Sequence, residues 1–92
     1  MQFEYNQDKN TKLIAERKIG FEEVIEAFNQ GKILKISPHY NQKKYPNQKV
    51  FYVELKGEIY VVPFLQKDAK TIFLKTIFPS RKARKILLQK SL

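Results

Sequence analysis

The clearest periodicity in the chain is Phe21, Val24, Ile25 and Phe28, apolar at i, i+3, i+4 and i+7. This spacing predicts an amphipathic helix. Glu22, Glu23 and Glu26 lie on its outer side, the first two at the positive end of the helix dipole, and Gly31 is placed to end it. Upstream, Phe3-Glu4-Tyr5 alternates as a strand does, and Asp8 offers an N-cap for a first helix over Lys9–Lys18. On that helix Asn10, Leu13, Ile14 and Arg17 share a face, and Gly20 separates the two helices. The four apolar positions of the second helix are expected to pack against a sheet.

From Lys32 the period changes to two. Lys32–Ser37 reads as a strand stopped by Pro38, and Pro38–Gln48 as a long polar loop. Lys49–Leu55 and Glu58–Leu65 are β-rich runs joined at Lys56-Gly57, a hairpin signal. Pro63 should fall at an unpaired ladder position or near the strand end. Thr71–Ile77 makes a fourth strand after the turn at Lys67–Lys70, and Pro79-Ser80 opens a helix from Arg81 to about Lys90. Ala83, Ile86, Leu87 and Lys90 line the inner face of this helix, beside a stripe of Arg81, Arg84, Lys85 and Leu88. The fold expected is α+β: two N-terminal helices, a mostly antiparallel sheet of about four strands, and one C-terminal helix. One sheet face packs on helices and the other is left for a ligand. At 92 residues, with no linker or repeat, residues 1–92 are expected to form a single domain.

Composition narrows the chemistry. There is no cysteine, which excludes disulfides, thiolate metal sites and thiol nucleophiles, and one histidine, His39, which excludes a His-rich metal site. Three glycines, at 20, 31 and 57, cannot build a phosphate-binding glycine loop. A serine triad drawn from Ser37 or Ser91 with His39 lacks a nucleophile turn. No apolar run approaches the ~20 residues of a membrane span, and the first 18 residues hold no signal-peptide core, so a cytoplasmic protein without membrane partners is expected.

Charge is the strongest compositional signal. The net charge is +9, and it is divided unevenly: residues 1–31 carry four bases and six acids, residues 32–92 fourteen bases and three acids. Such a field draws polyanions. It is also compatible with a merely solvated surface, or with a face made to be covered by an acidic chain.

RNA is the polyanion that carries its own nucleophile, the 2′-hydroxyl. A protein that cleaves it must align that group, move protons and stabilise charge on the phosphate, which Arg, Lys, His and Tyr can do without a cofactor or metal. The basic half supplies them: His39, Tyr40, Lys43, Lys44 and Tyr45 in the loop, Lys75 on the last strand, and Arg81, Lys82 and Arg84 at the start of the C-terminal helix. Arg81 combines a bidentate fork with free helix amides. Tyr52 and Tyr60 read as sheet packing, and the Pro-His-Tyr-Asn run reads equally well as a turn held by Asx-type hydrogen bonds.

The order of motifs is similar to that of the BrnT-type toxins. Phe3-Glu4-Tyr5-Asn6 with Lys9 and Leu13, then Glu16-Arg17-Lys18-Ile19-Gly20-Phe21-Glu22-Glu23-Val24, resembles that family's opening strand and helix pair. Lys75-Thr76-Ile77-Phe78-Pro79-Ser80-Arg81-Lys82-Ala83-Arg84 resembles its last strand running into a Ser-Ala-Arg-Lys-Ala-like helix. The resemblance implies a RelE-like fold and the toxin of a type II toxin–antitoxin pair: an endoribonuclease that inhibits translation and is held inactive by a cognate antitoxin, through which alone it reaches operator DNA. It maps the active surface onto His39, by its place after the Pro38 turn, and onto Arg81, by the Ser-Arg-Lys-Ala match. Lys43, Lys44, Lys75, Lys82 and Arg84 follow from charge and position as phosphate contacts. Two other readings remain: a basic nucleic-acid-binding module that does not cleave, and a structural partner of an acidic chain.

Overall fold

A computed structural model describes residues 1–89. The chain runs β1 (Gln2–Tyr5), α1 (Gln7–Arg17), α2 (Phe21–Asn29), β2 (Ile33–Pro38), β3 (Gln48–Leu55), β4 (Glu58–Gln66), β5 (Thr71–Leu74), β6 (Phe78–Pro79) and α3 (Arg81–Gln89). The expected α+β class and three helices are present. The sheet is larger than the four strands anticipated and is mixed: six strands in the order β1-β5-β4-β3-β2, with β6 also on β4. A strand precedes the helix pair, and it lies parallel to β5, from Gln2 opposite Thr71 to Tyr5 opposite Leu74.

Local chemistry explains most boundaries. Asn6, not Asp8, caps α1: its side chain accepts from the Lys9 amide at 2.9 Å, and Asp8 sits in the first turn. Gly31 follows α2 at φ +72°, which its missing Cβ permits. At the β3–β4 turn Lys56 (φ 54°) and Gly57 (φ 80°) are both left-handed, the pattern of a two-residue hairpin that matches strand twist.

The last expected strand, Thr71–Ile77, ends at Leu74, and a two-residue strand follows beyond it at Phe78–Pro79; Pro63 shows why. Its carbonyl accepts the Lys75 amide at 2.8 Å. In an extended strand a residue's N–H points to the same side as its C=O, so the missing proline N–H falls where β5 ends and β6 begins. The ladder breaks there, and β6 resumes at Val61 opposite Phe78.

One sheet face carries Phe51, Val53, Tyr60, Val62, Phe64, Ile72 and Leu74, and packs on Leu13 of α1 and on Phe21, Val24 and Ala27 of α2. Phe21 and Val24 are fully buried; Ile25 and Phe28 are half-buried against the same core. Ile14, read as sharing a face with Asn10 and Leu13, is exposed, because the buried stripe of α1 is only Asn10 and Leu13 wide. The opposite sheet face is not left free. Val50, Ile59 and Val61 are buried on it, and α3 covers part of it through the buried Ala83. Lys90 and Ser91 lie outside the described residues, as does the side chain of Leu88.

Candidate functional site

Where α3 leaves the second sheet face uncovered, a cleft of about 420 Å³ opens. Val61, Phe78, Ala83, Ile86 and Leu87 give it apolar walls; Lys35, Tyr40, Tyr52, Ser80 and Lys82 supply its polar groups. Tyr52 reaches it by strand parity. Phe51, Val53 and Leu55 of β3 belong to the helix-facing core, so Tyr52 between them points the other way. The same alternation puts Tyr60 of β4 into the core, where it is 8% exposed. Lys35 stands opposite Tyr52 after a register shift between Ile33 and Lys35.

Ser80 sets the mouth of the cleft at the N-terminus of α3. Its carbonyl accepts the Arg84 amide at 3.0 Å, and its Oγ accepts the Ala83 amide at 3.1 Å. The Arg81 and Lys82 amides precede the first helical acceptors and stay available to an anion. Lys82 lines the cleft. Arg81 is exposed at the start of the helix and does not line it.

His39 borders this region from the 39–47 loop. It is buried, 4% exposed, and packed at a tilt against Tyr40 and Tyr45, at centroid separations of 4.2 and 4.6 Å. Tyr40 in turn meets Phe78 edge-on at 6.4 Å, which joins the loop to the cleft wall. The His39 Nδ1 accepts the Asn41 amide at 3.0 Å. That bond assigns the ring proton to Nε2. Burial lowers the imidazole's pKa from its ordinary 6.5, so the ring is neutral at pH 7. The loop is itself a hydrogen-bonded turn, as the Asx reading expects: the Asn41 side chain accepts from the Lys44 amide at 3.2 Å, and the Asn41 carbonyl from the Tyr45 amide at 2.9 Å.

The remaining basic residues are dispersed. Lys43 is exposed on the loop, and the Lys44 ammonium lies 5.4 Å from the centre of the Tyr45 ring. Lys75 is 5.2 Å from the Phe73 ring and lines a shallow depression with Asn6, Asp8, Lys9 and Lys12 at the start of α1, away from the cleft. Arg84 is engaged by Glu58 at 3.5 Å, an exposed pair. Of the residues the sequence singled out, Tyr40 and Lys82 line the cleft, with His39 linked to it through Tyr40. The sequence reading assigned Tyr52 to sheet packing and did not single out Lys35. Parity within β3 carried a signal for Tyr52; the register shift that orients Lys35 has none in the sequence.

The arrangement suits a single-stranded polyanion. Two tyrosines offer faces or edges for stacking bases, two lysines offer charge for phosphates, and a capped helix start adds amides. No protein-family profile, curated protein or solved structure gives a significant match to this chain.

Proposed function

We propose that this chain is a BrnT-like, RelE-fold toxin of a type II toxin–antitoxin pair, a cytoplasmic endoribonuclease that cleaves RNA without a metal and is neutralised by a cognate antitoxin. The observation that carries the reading is the cleft beside α3, where Tyr40 and Tyr52 stand with Lys35 and Lys82 at a helix N-terminus. The motif resemblance at the two ends of the chain and the concentration of charge in residues 32–92 support it. Contact with operator DNA comes only through the antitoxin.

In this mechanism the 2′-oxygen attacks phosphorus as its proton is removed, the bond to the 5′-oxygen breaks, and that oxygen takes up a proton. The products are a 2′,3′-cyclic phosphate and a 5′-hydroxyl. Lys82, with Arg81 beside it, neutralises the charge that grows on the phosphate. His39 supplies a neutral ring whose Nε2–H can donate to a phosphate oxygen. For His39 to exchange a proton as acid or base, Nδ1 must first release the Asn41 amide. Lys43, Lys44, Lys75 and Arg84 strengthen attraction of the strand at longer range.

The test is cleavage of an oligoribonucleotide by the purified protein in excess chelator, alongside the same oligonucleotide carrying 2′-O-methyl groups. Cyclic-phosphate products from the first and none from the second are expected. Tight, salt-dependent binding of both without cleavage would instead identify a binding module.

A further inference from the structure

Lys75 stands outside the cleft, yet it lies on the same face of the sheet. Leu74 pairs with Phe64, and both belong to the helix-facing core, so Phe73, opposite Leu65, points the other way. The Lys75 ammonium, 5.2 Å from the centre of the Phe73 ring, lies on that side with it. Phe78, in the cleft wall, stands opposite Val61 on the same face. Leu65 and Val61 are four residues apart on β4, so Phe73 and Phe78 are separated by about 13 Å at the rise of a strand. The Lys75 amide bonds the Pro63 carbonyl, which places Lys75 between the two rings.

Around Phe73 positive charge is in excess. Phe73 and Lys75 line a depression of about 460 Å³, to which α1 brings Lys9 and Lys12 with Asn6 and Asp8. Among the described residues Lys9, Lys12 and Lys75 join no ion pair; the pairs are Lys56–Glu23, Lys67–Glu4 and Arg84–Glu58. Glu4, beside Phe73 on β1, is thus already matched by Lys67. Asp8 is the one acid lining the depression, against three lysines. Asn6 caps α1 through the Lys9 amide, so the charge here comes from side chains and not from the helix end. Between the depression and the cleft the surface is uncharged: Leu65 and Thr76 are half-buried, and Pro63 and Ile77 are buried.

An aromatic ring among unpaired lysines suits a single-stranded nucleic acid, whose bases stack on the ring while its phosphates meet the ammoniums. An acidic peptide would use the lysines and leave the ring idle. We propose that the Phe73 depression is a second nucleotide-binding station for the RNA strand whose reacting phosphate sits in the cleft. The inference rests on the nuclease reading of that cleft. One base stacks at Phe73, its flanking phosphates lie among Lys9, Lys12 and Lys75, and the strand crosses Leu65 and Thr76 to reach Phe78 and Lys82. In the free protein the Lys75 ammonium rests over the ring; a phosphate draws it aside, exchanging a weak contact with an aromatic face for a full charge. Lys75 then holds the strand directly, beyond attracting it from a distance. A dinucleotide fills the cleft alone, and only a longer strand reaches both stations. A duplex, whose bases are already stacked, gains nothing at Phe73.

The experiment uses the whole chain and uncleavable 2′-O-methyl oligouridines, a dinucleotide and an octanucleotide. The octanucleotide should bind about tenfold or more tighter and shift the amides of Lys9, Lys12, Phe73 and Lys75, which the dinucleotide leaves in place. The double variant Lys12→Ala, Lys75→Ala should bring the octanucleotide close to dinucleotide affinity and reduce its salt slope by about 1.4, at roughly 0.7 per phosphate contact. Dinucleotide binding should change little in that variant, whereas Lys82→Ala should weaken both ligands. Phe73→Leu keeps the apolar volume and removes the ring; it should weaken the octanucleotide about tenfold with its salt slope unchanged. Equal affinity of the two oligonucleotides, or equal weakening of both by the lysine pair, would overturn the proposal. So would a glutamate octapeptide that binds the depression as tightly as the octanucleotide and ignores Phe73→Leu. Cleavage is assayed separately with unmodified RNA. A gain with length in a chain that cuts nothing upholds the second station and counts against the nuclease, whereas cleavage with no gain from length does the reverse.

Discussion

The side-chain oxygen of Asn10 accepts a hydrogen bond from the backbone amide of Phe21 at 2.8 Å, and both residues are buried. α2 has no side-chain cap of its own, since Gly20 occupies its N-cap position. Asn10, on α1, supplies an acceptor from outside the helix and thereby fixes how the two helices meet. Gly20 makes the approach possible: a Cβ there would lie 2.8 Å from Asn10 Oδ1 and 2.9 Å from Ile14 Cγ1. Asn10→Ala leaves the Phe21 amide buried and unpaired, and should cost about 1–3 kcal/mol in chemical denaturation. Gly20→Ala should also destabilise, because the neighbour that must move is held by its own hydrogen bond.

The aromatic core gives a graded prediction. Phe21 is fully buried and 4.9 Å from Tyr5, so Phe21→Ala should cost about 3–5 kcal/mol. Phe28 is half-buried, edge-on to Phe3 at 5.0 Å and tilted against Phe51 at 5.6 Å, so its truncation should cost less. Denaturant midpoints for the two variants order them. A larger loss at Phe28 would mean that the aromatic cluster of β1, α2 and β3, not the inner stripe of α2, dominates the core.

These elements show what was legible in the sequence. The stripe of α2, the stop at Gly31 and the Lys56-Gly57 hairpin are written within a few residues of one another, and local rules read them correctly. The parallel pairing of β1 with β5 was not legible, because it joins residues some seventy positions apart and no local pattern records it. The break between β5 and β6 arises from a proline on a different strand. At the site, His39, Arg81 and Lys82 are evident from residue type and helix start. Tyr52 and Lys35 depend on which way a strand faces, and for Lys35 on a register shift that only the folded sheet shows.

His39 makes stability depend on pH. Burial lowers its pKa in the folded chain, so below about 6.5 the unfolded chain binds more protons than the folded one. The stability from the neutral ring is present above ~6.5 and is lost as pH falls through the depressed native value. Thermal midpoints should therefore fall as the pH is lowered below about 6.5. His39→Gln should flatten that slope; an unchanged slope would place its origin elsewhere.

The last prediction concerns the two cations at the start of α3. Lys82 lines the cleft, and Arg81 adjoins it at the same helix end, whereas Arg84, one turn on, faces Glu58 at 3.5 Å. If a phosphate binds at the capped N-terminus, charge growing on it during attack of the 2′-oxygen is met by donors already in place. Losing one such donor costs roughly 10²–10³ in rate. Lys82→Ala and Arg81→Ala should each slow single-turnover cleavage by about that factor while leaving the denaturant midpoint nearly unchanged, since both side chains are exposed. Arg81→Lys should recover only part of the loss, because a point charge cannot reproduce a bidentate fork. Arg84→Ala should change the rate little and weaken binding mainly at low salt, as expected of a charge acting through the field and not at the phosphate. Tyr52→Phe should keep most of the binding and Tyr52→Ala should lose it, by about 1–3 kcal/mol per stacked base. Equal cleavage rates for the parent, Lys82→Ala and Arg81→Ala would move the reacting phosphate away from α3.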